Sequence, residues 1–277
     1  NLKPEFDKLV LSLARHFFNK KEYELALNYA NKNRSNSCQS LYLGCLLSLD
    51  RKKEFIKKYN ELLIKGVCNA EIGGIIEHAN MIYGNNLNSP FCNEAIKYVH
   101  WDQINEELFS DEYLNQLLTY TKDNEIGEKT QGLLNNGLQT SGNLFSLNLP
   151  FINTLKKALE TKIESYKNNF QNSKQGFITN WPTNYELRAW IIRMKKGGYL
   201  DQHNHEYGWI TGSYYLQVPK CLNNEGEGNI AFSYQGPQYP TKNKQFNLST
   251  KNVNKRDLCI FPSSLFHQTI PFESTEE

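Results

Sequence analysis

Three histidines carry the chemistry this sequence offers. His203 and His205 stand two apart in GGYLDQHNHEYGW, and His267 follows much later in FPSSLFHQTIP. In an extended chain, side chains two apart project from the same face. His203 and His205 can therefore reach one metal ion from a single strand or strand end. A third imidazole arriving on another strand completes one face of a coordination sphere and leaves the opposite face open. An open face of that kind lets a non-haem Fe(II) centre hold a co-substrate and O₂ together, although imidazole serves iron, copper, nickel and zinc alike.

The other titratable groups near the pair leave the ligand set open. Asp201 shares the strand parity of both histidines and is an alternative carboxylate ligand, whereas Glu206 lies on the other parity. His205 is read in three ways: as a true third ligand, as a residue beside a two-histidine site, or as a bystander to a nearby carboxylate. The glycines Gly197 and Gly198 are expected to form a turn ahead of the pair. Trp209 is either a wall of the metal pocket or core packing. His16, His78 and His100 fall in helical stretches without a partner and are read as structural or surface residues.

Composition excludes several classes. The chain of 277 residues is 39% hydrophobic and 22% charged with net charge +2, which describes an ordinary globular protein long enough for two domains. It has no basic field of the kind that drives nucleic-acid binding. No apolar run approaches the roughly 20 residues a membrane span needs. No secretory leader is evident, although the chain starts at Asn1. The six cysteines form no C-x-x-C pair and mostly lie in apolar runs. Buried reduced thiols and a cytoplasmic location are therefore expected.

Two regions of different periodicity must position these residues. Through residue 100 the apolar positions recur at helical spacing. Val10, Leu13, Ala14 and Phe17 form one face, and Tyr23, Ala26, Leu27 and Ala30 form another after a break at residues 19–21. A second hairpin follows with Leu43, Gly44 and Leu47, then Phe55, Ile56, Tyr59 and Leu63. Ala14 and Gly44 are separated by about the repeat length of helical solenoids, so residues 1–100 resemble tetratricopeptide-like repeats. A third, weaker unit is read over residues 70–99. Residues 101–175 are read as a helical linker and support helix. Within them DEYLNQLLTYTK is a helix, the segment from Gly137 to Asn148 is a loop, and LPFINTLKKALETKIESYKNNF is a long helix begun by Pro150. Beyond residue 176 the period changes. YELRAWIIRMKK, WITGSYYLQV, GNIAFSY and RDLCIFP read as strands. The fold class expected is α+β, with helical repeats followed by a β-sandwich or barrel.

The C-terminal part, from Trp181 onward, resembles the 2-oxoglutarate/Fe(II)-dependent oxygenase superfamily. More closely it resembles the prolyl-hydroxylase-like branch and an uncharacterised bacterial and phage group within it. GGYLDQHNH, TGSYYLQVP, GNIAF and DLCIFPSSLFHQTIPF carry the resemblance in order and spacing, and Gln139–Thr140 ahead of the long helix fits the same group. The resemblance implies a double-stranded β-helix (jelly roll) over residues 176–277 and Fe(II) held by His203 and His267; with His205 read as the third ligand, the set is His203, His205 and His267. It further implies oxidation of 2-oxoglutarate to succinate coupled to hydroxylation of a substrate by O₂. Arg193, Tyr199 and Tyr215 are candidate contacts to the 2-oxo acid. The superfamily's first motif carries Asp or Glu where this chain has His205. Its anchoring base for 2-oxoglutarate lies beyond the distal histidine, so that base and the last strand are expected past Glu277. Helical repeats ahead of such a domain suggest a peptide or protein substrate, with proline one candidate residue. A three-histidine cupin-like metalloenzyme without 2-oxoglutarate, and a non-catalytic binding protein with a degenerate barrel, stand as alternatives.

Overall fold

A computed structural model describes residues 3–122, 128–219 and 226–274. Five helices open the chain: α1 (Lys3–Asn19), α2 (Tyr23–Asn31), α3 (Asn36–Ser48), α4 (Lys52–Ile64) and α5 (Ala70–Tyr83). Their ends follow local chemistry. Ser35 caps α3 by accepting from the Cys38 amide, and Asn69 caps α5 by accepting from the Ile72 amide. Gly84, at φ 61°, closes α5 in the left-handed conformation that glycine adopts without strain. Ala14, Ala26, Ala30, Leu43, Leu47, Phe55 and Tyr59 are buried as the periodicity requires. On α1, Phe18 rather than Phe17 is the buried ring. The third unit has no second helix; α5 is followed by a short 3₁₀ turn at Ala95–Tyr98.

The remaining elements are β1 (His100–Gln103), α6 (Asp111–Lys122), β2 (Glu128–Lys129), β3 (Leu134–Thr140), α7 (Pro150–Asn169), α8 (Gly176–Thr179), β4 (Ile192–Leu200), β5 (Ile210–Tyr214), β6 (Ile230–Ser233), β7 (Ser249–Lys251), β8 (Asp257–Pro262) and β9 (Phe266–Thr269). They form three antiparallel sheets of order β1-β8-β5, β2-β3-β4 and β7-β6-β9. The molecule is thus α+β, helical at its N-terminal end and β-rich at its C-terminal end.

Four sequence readings need correction. The segment from Gly137 enters strand β3 through Thr140 because its amides and carbonyls find partners on β4. β1 to β3 consequently supply strands in a part of the chain read as helical linker. His100 sits in β1, opposite Ile260, not in a helix. The strand read from Tyr185 begins only at Ile192, and residues 185–191 run without regular structure. Gly197 and Gly198 lie inside β4, beside a register shift against β3, instead of in a turn before the histidines. Among the cysteines, Cys38, Cys45, Cys92 and Cys259 are buried free thiols and Cys68 is half-buried; Cys221 lies outside the described residues.

Two apolar cores result. One joins the β-sheets to α6 and α7 through Phe109, Leu117, Tyr166, Phe177 and Phe261. The other fills the helical region, yet it includes Phe266 of β9 and Tyr239 from the segment between β6 and β7. Full burial of a ring such as Phe266 contributes about 1.5–3 kcal/mol. Further bonds tie that segment to the helices. His78 Nδ1 accepts from the Gly236 amide at 2.9 Å, and its Nε2 donates to the Pro240 carbonyl at 3.0 Å. Tyr23 donates to the Gln238 carbonyl at 3.2 Å.

Candidate metal centre

His267 is placed by strand pairing. It lies in β9 opposite Phe232 of β6, and on its other side it meets His203 in an isolated antiparallel bridge. The His203 amide donates to the His267 carbonyl at 3.0 Å, and the His267 amide returns a bond to the His203 carbonyl at 2.8 Å. Directly opposed residues of an antiparallel pair share a face. The two rings accordingly stand 4.4 Å apart, centroid to centroid. Alternation along β9 then gives its first two residues opposite duties: Phe266 enters the helical core while His267 turns to the site.

His205 reaches the same place from a loop. Its amide donates to the Ser263 carbonyl at 3.1 Å, in the turn between β8 and β9. Its ring centroid lies 5.1 Å from that of His203 and 5.3 Å from that of His267. One ligand nitrogen from each of the three histidines falls within 4.8 Å of the others. Phe261 of β8 closes one side with its ring 4.8 Å from His267, and Trp190 stands 6.0 Å from His205 with 39% of its surface exposed.

The protonation states suit ligation. Burial pushes the pKa of all three imidazoles down, that of His205 to about 4; His203 adds to the fall at His205, and both add to it at His267, while the Asp201 carbonyl and the Glu206 and Asp201 charges oppose it at His203. The rings are therefore neutral at pH 7. A carbonyl oxygen can only accept, so His203 Nδ1 donates to the Asp201 carbonyl at 2.7 Å and His267 Nδ1 donates to the Leu265 carbonyl at 3.2 Å. Each bond fixes the tautomer and leaves an Nε2 lone pair, as metal-ligating histidines generally require.

Among the described residues, no carboxylate joins this group. The Asp201 side chain is exposed and accepts from Asn135 Nδ2 at 3.2 Å. Glu206 points to Arg15, with Nη1 3.6 Å from Oε1. Arg193 and Tyr199 sit half-buried on β4, opposite Leu138 and Asn135. Tyr215 continues β5 beside β8, its amide donating to the Asp257 carbonyl at 3.0 Å. Register places it on the face that carries Phe261 and Cys259, toward the side on which Phe261 meets His267. Trp209 is core: its Nε1 donates to the Phe177 carbonyl at 2.8 Å and its ring packs edgewise on Phe91.

Three contributors escape sequence reading. Trp190 lies in a segment whose apparent strand alternation concealed its place beside His205. Gly73 and Gly74 of α5 lie directly beneath the site. A Cβ on Gly74 would fall 2.8 Å from Asn204 Nδ2 and 2.9 Å from the Ser264 carbonyl, and one on Gly73 would fall 2.7 Å from Ser264 Cβ. Arg15 of α1 reaches the residues just after His205. Nothing in a one-dimensional pattern links α1 or α5 to a motif so distant in the chain.

Residues 188–277 match the family model described as "Putative 2OG-Fe(II) oxygenase", a stretch that holds all three histidines. Comparison with curated proteins returned no match. No helix among the described residues is long and apolar enough to cross a membrane.

Proposed function

We propose that the C-terminal region is a 2-oxoglutarate-dependent Fe(II) oxygenase that hydroxylates its substrate, with His203, His205 and His267 holding the metal. One observation carries the reading: three neutral imidazoles, two with tautomers set by backbone carbonyls, converge within 4.8 Å inside the segment that matches the oxygenase family. The residues fit a divalent metal of imidazole preference, and a set of three imidazoles, joined by no carboxylate among the described residues, leaves positions for non-protein ligands. Bound iron would supply O₂ activation coupled to oxidation of the 2-oxo acid. The chain supplies the rest. Burial raises the Tyr215 pKa, so its phenol stays protonated and can donate to a carboxylate. Arg193 offers a bidentate fork and Tyr199 a second hydroxyl for the same co-substrate. Phe261 and Trp190 wall the histidines and limit the water around them.

The three sheets are read as parts of a double-stranded β-helix, and α1 to α4 as two tetratricopeptide-like hairpins. The substrate class that suits such helices is a peptide or protein, prolyl residues included, met on faces that the oxygenase region leaves uncovered. The unpaired thiols fit a cytoplasmic setting.

Anaerobic titration with Fe(II) and 2-oxoglutarate tests the assignment. The expected result is the weak visible charge-transfer band of a chelated 2-oxo acid, lost in His203→Ala and His267→Ala. The all-imidazole set favours a second reading, a three-histidine metalloenzyme that does not use 2-oxoglutarate. Tight Fe(II) binding that is indifferent to the 2-oxo acid would select it.

A further inference from the structure

We propose that Arg15, on the first helix, is a positioning residue for His205, so that the helical region forms part of the metal site. The inference rests on the three-histidine reading above. His203 and His267 are locked to each other by two reciprocal backbone bonds. His205 has no such ladder. Its amide bonds to Ser263, and its carbonyl accepts from Gly208 within the same loop at 2.9 Å. What holds its flanks is the helical region. On one side, Asn204 is seated against Gly74 of α5, where the missing Cβ makes the space. On the other side, Glu206 and Tyr207 are held by Arg15.

Arg15 suits that task by its shape. Nη2 meets Glu71 Oε1 of α5 at 2.8 Å, Nη1 meets Glu206 Oε1 at 3.6 Å, and Nε donates to the Tyr207 hydroxyl at 2.9 Å. The guanidinium also lies over the Tyr207 ring, 5.1 Å from its centroid. Tyr207 is 68% exposed, so packing does not hold it; the arginine does. Glu71 is buried, and burial pushes its carboxyl up to about 7 against the pull of Arg15. That ion pair anchors the guanidinium on α5, and the remaining donors reach across to the loop. A lysine has no planar fork and cannot serve all three partners at once.

The test is a double-mutant cycle on the full chain, read as Fe(II) affinity under anaerobic conditions. Arg15→Met/Glu71→Gln removes the tether without leaving a buried carboxylate unpaired. Glu206→Gln/Tyr207→Phe removes the loop side of the tether and leaves the Arg15–Glu71 pair in place. Each should weaken Fe(II) binding by about 10-fold, the scale of support lost behind a metal ligand. Arg15→Lys should fall between these variants and the wild type. In a His205→Ala background, both changes should have no further effect, which a general loss of fold would not reproduce. Unchanged affinity in both variants, or an equal loss with and without His205, would overturn the tether. A wild-type chain that binds no Fe(II), or one in which His205→Ala binds as tightly as wild type, would instead remove the three-histidine reading and the tether with it.

Discussion

The candidate metal centre is built in two ways within a few ångströms. His203 and His267 sit in a backbone ladder, where the exchange of two amide bonds fixes both Cα positions and puts both rings on one face. His205 sits in a loop whose neighbours lean on helices from the far end of the chain. Ladder geometry depends little on side chains, whereas loop geometry depends on every contact that holds it. Two of the histidines are therefore placed by the β-region alone, and the proposed tether makes the placement of the third conditional on the helical region.

The sharpest way to break this comparison is to remove ligands from each class. His203→Ala and His267→Ala should each weaken Fe(II) binding by more than about 100-fold, beyond the range seen when only the support of a ligand is lost. His205→Ala should cost less, because the rigid pair remains. Anaerobic calorimetry with Fe(II), or with Co(II) as a stable stand-in, gives the order. An equal loss at all three positions would show that the loop is as fixed as the ladder.

Gly74→Ala comes next. Its Cβ would approach a backbone oxygen of the β8–β9 turn at 2.9 Å and Asn204 at 2.8 Å, and the backbone atom cannot swing away. Overpacking of this kind costs about 1–3 kcal/mol, against about 1 kcal/mol gained from helix propensity. A net loss in urea unfolding is expected. Fe(II) affinity should fall with it, because the displaced groups flank His205 and precede His267. Retained affinity at reduced stability would mean that α5 only supports the fold and does not set the site.

The same contrast explains what could be read from the sequence. Residues 203, 205 and 267 stood out because few residue types ligate metals, and the fold does bring their rings together; the shared strand expected for His203 and His205 is absent, since His205 arrives from a loop. The helices α1 to α4 were legible through buried positions such as Ala14, Ala26, Leu43 and Phe55, since amphipathic periodicity is a local property. β3 was missed because LNNGLQT has weak strand propensity and is held by pairing with β4, a tertiary effect. Gly197 and Gly198 suggested a turn because irregular backbone within a strand leaves the same residues as a turn does. Arg15, Glu71 and Gly74 gave no signal: a charged residue on a helix face and a glycine pair inside a helix look ordinary until the fold brings Asn204 and Glu206 to them.

A spectroscopic measurement sharpens the loop half of the comparison. Trp190 stands 6.0 Å from His205. A paramagnetic ion such as Co(II) held by the three histidines should quench its fluorescence, and Trp190→Phe should remove most of the metal-dependent change. Quenching that persists in Trp190→Phe would move the ion toward Trp209 and the core. In Glu206→Gln/Tyr207→Phe, a looser loop should reduce the quenching at saturating metal while His203 and His267 still bind.

The smallest effect separates the stability of α5 from its service to the site. Glu77 lies one turn beyond Gly73 and Gly74, and its carboxylate accepts from the Glu94 amide at 2.7 Å. Burial pushes its pKa up to about 7, with that hydrogen bond opposing and the nearby Glu94 charge adding to the rise. A carboxyl with a raised native pKa binds more protons in the folded than in the unfolded chain between the ordinary carboxylate range and about pH 7, so stability falls as pH rises through that window. Glu77→Gln keeps an oxygen for the Glu94 amide and removes the titration. The variant should match or fall slightly below wild type at pH 5 and exceed it at pH 8 in parallel urea unfolding. Glu71, also raised to about 7, is common to both proteins and cancels in the difference. Because Glu77 faces Glu94 and not the histidines, Fe(II) affinity at pH 8 should be the same in both. An affinity that rises together with stability would mean that the site responds to the general firmness of α5, and the distinction between a ladder-held pair and a helix-held third ligand would have to be redrawn around the whole helix, not around Arg15 and Gly74.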